Sequence, residues 1–169
     1  MLKKKVEDIL NVQVEKEGYS SSLYLAMASW AEVNGYSGIA AWLYAQSDEE
    51  RMHMLKIVKY INERGGHAII PLFKEAPKEQ KSIKDMFEAI LNHEIFITNS
   101  INEIVALTLE EKDFTTHSWI QWFVNEQIEE ESQVTTILDK LKLLGNNNLY
   151  LFDRDIISLR GSESEESEA

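Results

Sequence analysis

The side chains best equipped for chemistry in this chain are glutamates and a histidine that recur at fixed intervals. Glu17 and Glu50 stand 33 residues apart, and His53 follows Glu50 by three. The pattern returns further on, where Glu94 and Gln127 are again 33 apart and Glu130 follows by three. The two sets are offset by 77 residues. Residues three apart on a helix share a face, so each set predicts a helix with one polar group beside a helix with two. Carboxylates with one imidazole form an oxygen-rich ligand set that suits iron or manganese better than structural zinc, which prefers Cys and His. In such a set Glu50 bridges two ions, Glu17 and His53 complete one site, and Glu94 and Glu130 complete the other.

Positioning these groups takes four helices. Segments of about 4–34, 38–64, 83–110 and 114–144 carry helical periodicity and lack internal proline, with Gly18 the one glycine well inside a segment. The first buried stripe reads Val6, Leu10, Gln13, Glu17, Ser20, Tyr24, Met27, Ala31, and the second Ile39, Leu43, Gln46, Glu50, His53, Ile57, Tyr60. The third reads Ile83, Phe87, Ile90, Glu94, Ile97, Ile101, Ile104, and the fourth Ile120, Phe123, Gln127, Glu130, Val134, Ile137, Leu141. Each stripe is apolar at its ends and acidic or amide-bearing near its centre. Burying unpaired carboxylates costs several kcal/mol each, and few Lys or Arg lie on these faces. One reading supplies the missing charge with a bound cation; the other treats these as partly solvated faces of a loosely amphipathic bundle. The matched depth and doubled spacing favour the cation.

The connections predict how the helices run. Asn34 to Gly38 and Glu111 to Asp113 are short breaks, so each joins antiparallel neighbours. The stretch from Gly65 to about Lys81 holds both prolines, Pro71 and Pro77, and some seventeen residues there reach roughly 50 Å at about 3.3 Å each. A connection that long lets the second and third helices lie parallel. Ser82 with Asp85 behind it makes an N-cap for the third helix. After the stop at Gly145-Asn146-Asn147-Asn148, residues Leu149 to Leu159 predict a short fifth helix with Leu149, Phe152, Ile156 and Leu159 on one face. The chain thus reads as one all-α domain over 1–160 and a disordered acidic tail over 161–169.

Composition narrows the function classes. Asp and Glu number 29 against 17 Lys and Arg, for a formal charge of −12, which disfavours nucleic acid and suits cations. No cysteine is present, which removes disulfides, iron–sulfur clusters and thiol chemistry. Lys3 to Lys5 are followed by no apolar run, and no stretch of about 18 apolar residues exists, so neither a secretory leader nor a membrane span is expected. A cytoplasmic location is the expectation.

At these residues the chain resembles the ferritins, most closely the bacterial non-haem ferritins, over nearly its whole length up to about Leu159. The resemblance implies a ferritin-like four-helix bundle with a long crossover between helices two and three and a short fifth helix placed at a fourfold axis; packing on its own bundle is the alternative for that helix. Glu17, Glu50, His53, Glu94, Gln127 and Glu130 stand where that family puts its ferroxidase centre, and Glu49, Glu126 and Glu129 match a third iron site that shares Glu130. Tyr24 matches a tyrosine kept beside the centre, and Gln127 an amide that stands behind the ligands or binds weakly, so its side of the centre is expected to hold metal less tightly. The activity implied is oxidation of Fe(II) by dioxygen or hydrogen peroxide, with iron stored and detoxified as ferric oxyhydroxide inside a homo-oligomeric cage of twenty-four subunits.

Departures from relatives sharpen this. Bacterioferritins place a haem-ligating Met directly after the glutamate of helix two; here Arg51 follows, Met52 lies about 100° further round, and Glu130 replaces a second helix-four histidine, so no haem is expected. Rubrerythrins carry a Cys-rich iron site, which zero cysteine excludes. The competing functions are a di-iron or di-manganese oxidase of a small organic substrate and a non-catalytic helical interaction domain. His93 is expected to point away from the stripe towards solvent or an interface, and His67 and His117 have no evident partner. Trp30, Trp42, Trp119 and Trp122 are divided between core packing and subunit contacts.

Overall fold

The structure, a computed structural model, describes residues 1–145 and 148–160. Four long helices, α1 (Lys4–Val33), α2 (Ser37–Glu63), α3 (Ile83–Glu110) and α4 (Phe114–Leu144), are followed by a short α5 (Leu149–Asp155) and a 3-10 turn at Ile156–Leu159. The expected acidic tail at 161–169 lies outside the described residues.

The helices start and stop where local chemistry directs them. Ser82 accepts a hydrogen bond from the Asp85 amide at 3.0 Å, capping α3, and Asp113 accepts from the Thr116 amide at 3.1 Å, capping α4. Gly35 and Gly65, at φ 83° and 81°, end α1 and α2 in the left-handed conformation that glycine adopts without a Cβ penalty. The start of α2 has no cap from its own segment. Its third amide, that of Ile39, is instead met at 2.8 Å by the Asp153 carboxylate of α5, a negative charge on a helix N-terminus.

Two separate apolar clusters form the core, one at each end of the bundle. The first gathers the C-terminal half of α1 (Tyr24, Met27), the N-terminal halves of α2 (Ile39, Leu43) and α3 (Phe87, Ile90), and the end of α4 (Ile137, Leu141). The second gathers Val6 and Leu10 with Ile57 and Ile61, Ile101 and Ile104, and Ile120 and Phe123. The starts of α2 and α3 share one end, so these helices run parallel, while α1–α2 and α3–α4 are antiparallel hairpins. Phe152 and Ile156 are buried in the first cluster, with Leu149 and Leu159 packed beside them. The fifth helix therefore packs on its own bundle.

Parallel α2 and α3 require the crossover, residues 64–82, to travel the length of the molecule. It is strapped to α1 by side-chain to backbone bonds. Asn11 Nδ2 donates to the His67 carbonyl at 3.2 Å, and its Oδ1 accepts from the Ile69 amide at 2.7 Å. The Phe73 ring then sits directly on Gly18, where an added Cβ would lie 2.3 Å from ring carbons. That contact explains a glycine in mid-helix, a position that otherwise costs about 1 kcal/mol. Replacing Gly18 with Ala is expected to displace Phe73 and cost about 1–3 kcal/mol. Proteolysis at 64–82 should accelerate while far-ultraviolet circular dichroism holds; unchanged cleavage would contradict this account of the strap.

Candidate metal centre

Between the two apolar clusters all four long helices turn polar at the same level. Glu17 from α1, Glu50 and His53 from α2, Glu94 from α3, and Gln127 and Glu130 from α4 are all buried there. Glu17, Glu50 and His53 each offer a ligand atom within 4.8 Å of the others. One oxygen of Glu17 (Oε2) and one of Glu50 (Oε2) are buried without a hydrogen-bond partner. His53 Nδ1 lies 3.4 Å from that Glu50 oxygen. Two orphaned carboxylate oxygens facing an imidazole form a binding set for a cation.

The electrostatics agree with the geometry. Burial, then Glu17, Glu94 and Glu130, push the Glu50 carboxyl well above its ordinary range. Burial, then Glu94, Glu49 and Glu126, do the same for Glu130. Glu94 is pushed up to about 7 by burial, against hydrogen bonds from Tyr24 and Gln127 that pull it down. Burial lowers the His53 pKa, keeping its ring neutral and its nitrogen lone pair available to a metal. The site is thus short of positive charge at neutral pH, and a divalent cation would bind by displacing protons.

Amides hold the carboxylates in place. Gln13 Nε2 donates to Glu17 at 2.8 Å, and its own oxygen accepts from Ser100 at 2.6 Å. Gln46 Nε2 donates to Glu130 at 2.5 Å. Gln127 Nε2 lies 3.2 Å from Glu94 Oε2 and 3.3 Å from the Glu94 carbonyl. The other Glu94 oxygen accepts from the Tyr24 hydroxyl, a phenol that burial and Glu94 keep protonated. Each glutamine fixes the rotamer of its carboxylate, and Glu17 keeps one oxygen free. In the sequence Gln13 and Gln46 were visible as members of the stripes, but nothing there assigned them a carboxylate to hold.

Not every expected ligand is gathered equally. Glu94, with both oxygens engaged by Tyr24 and Gln127, stands outside the compact group of Glu17, Glu50 and His53. Glu130 instead joins Glu49, His53 and Glu126 in a second group, again with ligand atoms within 4.8 Å of one another. Glu129 is exposed and belongs to neither. Burial, Glu49 and Glu129 push Glu126 up to about 7, against a smaller downward pull from Lys56. Met52 and Arg51 face outwards on α2.

Other singled-out residues find partners that sequence spacing did not show. His93 is half-buried: its Nε2 is 2.7 Å from Ser20 Oγ, its ring packs edge-on to Tyr19 and Tyr24, and burial lowers its pKa to about 4. Turning about 100° from the stripe carries it into the α1–α3 groove, because α1 lies against that side of α3. His117 Nδ1 lies 3.2 Å from Thr108 Oγ1, and His67 is exposed on the crossover. Trp42 is fully buried, Trp119 stacks on Tyr60 at 3.8 Å, Trp30 stacks on Tyr36, and Trp122 meets the His53 ring edge-on at 5.4 Å.

These shifts predict how the metal-free protein responds to pH. A carboxyl whose folded pKa lies above its unfolded value binds its proton more tightly when native. Its stabilisation is complete below the ordinary value of 4.5 and is lost as pH rises through the folded value, about 7 for Glu94. The unfolding midpoint of the metal-free protein should therefore fall between about pH 5 and about pH 8. Glu94→Gln should fall less, and a saturating divalent cation should flatten the curve. A midpoint equally pH-dependent in wild type and Glu94→Gln would count against the buried charge at this position.

The comparisons with known proteins agree with this architecture. The family model described as a ferritin-like domain matches residues 7–144. A probable bacterial non-heme ferritin-like protein of Haemophilus influenzae is 42% identical over 161 residues, covering 94% of this chain and 98% of the relative. The bacterial non-heme ferritin of Campylobacter jejuni is 43% identical over 158 residues, covering 92% and 95%. Among solved structures, an open pore ferritin from the archaeon Archaeoglobus fulgidus superposes with a TM-score of 0.89 at 37% identity, over 92% of this chain and 98% of its own. With its bundle, its crossover and its carboxylate-lined middle, the chain belongs to the ferritin family.

Proposed function

We propose that this protein stores and detoxifies iron, oxidising Fe(II) at the centre between Glu17, Glu50, His53, Glu94 and Glu130 and depositing it as ferric oxyhydroxide inside a shell built from copies of itself. The observation that carries this reading is the pair of buried, unpartnered oxygens on Glu17 and Glu50 beside a neutral His53. Fe(II) is the substrate. Two ions held together lose one electron each, and the electron pair with two protons reduces dioxygen to hydrogen peroxide, or hydrogen peroxide to two waters. Carboxylate ligands favour the Fe(III) product electrostatically, and an incomplete ligand set lets the ion leave.

The residues divide the work. Glu17, Glu50 and His53 take the first ion, and Glu50 reaches towards a second ion held by Glu94 and Glu130. Gln127 and Tyr24 already occupy Glu94, so that side binds metal less tightly. Glu49, Glu126 and Glu130, with Glu129 at the rim, form a third stop between the oxidation centre and the protein surface. No described helix is long and apolar enough to cross a membrane, and the cytoplasm is the compartment this reading assigns.

Two measurements test the proposal. Aerobic Fe(II) oxidation followed in the ultraviolet should slow about 100-fold or more in the double variant Glu50→Ala, His53→Ala, and equal rates would remove the site assignment. Size-exclusion chromatography should place the protein near half a megadalton, about 24 chains of 19.5 kDa; elution as a monomer or dimer would defeat the shell. Titration of the metal-free protein with Fe(II) under anaerobic conditions should resolve two unequal steps at the inner pair, and equal affinities would contradict the weaker role given to the Glu94 side.

A further inference from the structure

The second acidic group is not without a cation: the chain itself brings one. Arg160, directly after the 3-10 turn, sets Nη2 2.5 Å from Glu49 Oε2, and both side chains are largely withdrawn from water, at 15% and 18% exposure. Its Nη1 lies 3.4 Å from both the Trp42 carbonyl and the Gln46 side-chain oxygen. Gln46 in turn donates through Nε2 to Glu130. One guanidinium therefore touches Glu49 directly and Glu130 through a single amide. The turn that delivers it is anchored by Ile156, which is fully buried, and by Leu159 packed on the same apolar cluster.

We propose that Arg160 is a built-in counter-ion that competes with metal for Glu49, so that iron enters the Glu49, Glu126 and Glu130 group only by displacing a side chain of the protein. The proposal rests on the reading of that group as an iron stop. A guanidinium and a metal ion cannot share one carboxylate face without like-charge repulsion, which in a partly desolvated place is worth a tenfold change in affinity or more. The inner group of Glu17, Glu50 and His53 has no such competitor, since Arg160 reaches neither Glu17 nor Glu50 among the described contacts. The arrangement makes the outer group weak for a divalent ion, so it fills after the inner pair. It also puts occupancy of that group under the control of where the chain after α5 sits.

The test uses Zn(II), which undergoes no redox chemistry, titrated calorimetrically into the assembled, metal-free protein. Wild type should show tight binding at the inner residues and a weaker further ion. Arg160→Gln should tighten that further ion about tenfold and leave the tight phase as it was. Arg160→Lys, which keeps the charge, should stay close to wild type. Arg160→Met, which keeps the apolar stem without the charge, gives the same reading as Gln should the glutamine variant assemble poorly. In a Glu49→Gln background the Arg160→Gln change should have no further effect, because the contested carboxylate is gone. Unchanged or weakened outer affinity in both neutral variants, with the tight phase intact, overturns the competition while leaving the proposed function standing. Loss of the tight phase in wild type overturns both.

Discussion

The constraint on which this molecule turns is a layer of carboxylates buried in the middle of a helical bundle without enough positive charge to match. Glu17, Glu50, Glu94 and Glu130 converge there, and the only imidazole among them, His53, is held neutral by burial. Such a layer is destabilising in isolation, by several kcal/mol for each uncompensated charge. Protonation is one escape, and the raised pKa values of Glu50, Glu94 and Glu130 record it. A cation is the other. The bundle is consequently built to tolerate the layer empty and to be relieved when it fills.

That tolerance depends on what lies above and below. Two apolar clusters, one around Phe87 and Leu43 and the other around Ile57 and Phe123, clamp the four helices at both ends. The polar layer can then be poorly matched without opening the bundle. Within it, Gln13, Gln46 and Gln127 each donate to one carboxylate and hold it aimed inwards. The long crossover is part of the same design. With α2 and α3 parallel, Glu50, His53 and Glu94 lie at one level, and the strap of Asn11 and Phe73 along α1 secures the connection between the two helices.

Much of this was legible in the sequence, and the reason is periodicity. A helix repeats every 3.6 residues, so a buried face and the depth of a glutamate along it follow from spacing alone. The four long helices, the capping Ser82 and the doubled Glu, Glu-x-x-His and Glu, Gln-x-x-Glu pattern are all of that kind. What spacing does not carry is which distant segments touch. The Asp153 cap on α2, the Phe73 ring on Gly18 and the Arg160 pair with Glu49 each join elements more than fifty residues apart. His93 shows the same limit: its direction round the helix was readable, but not that α1 closes over it. Glu94 could be assigned to the layer by depth, whereas its engagement with Tyr24 and Gln127 depends on rotamers that no pattern encodes.

The central claim is that metal occupies the layer where the unpartnered oxygens of Glu17 and Glu50 meet His53. The most direct measurement is an anomalous-scattering map at the iron edge, from crystals soaked with Fe(II) in the absence of oxygen. The strongest peak is expected within bonding distance of Glu17, Glu50 and His53, with a weaker one on the side of Glu94 and Glu130. Iron found only on exposed carboxylates, with the buried layer empty, would contradict it.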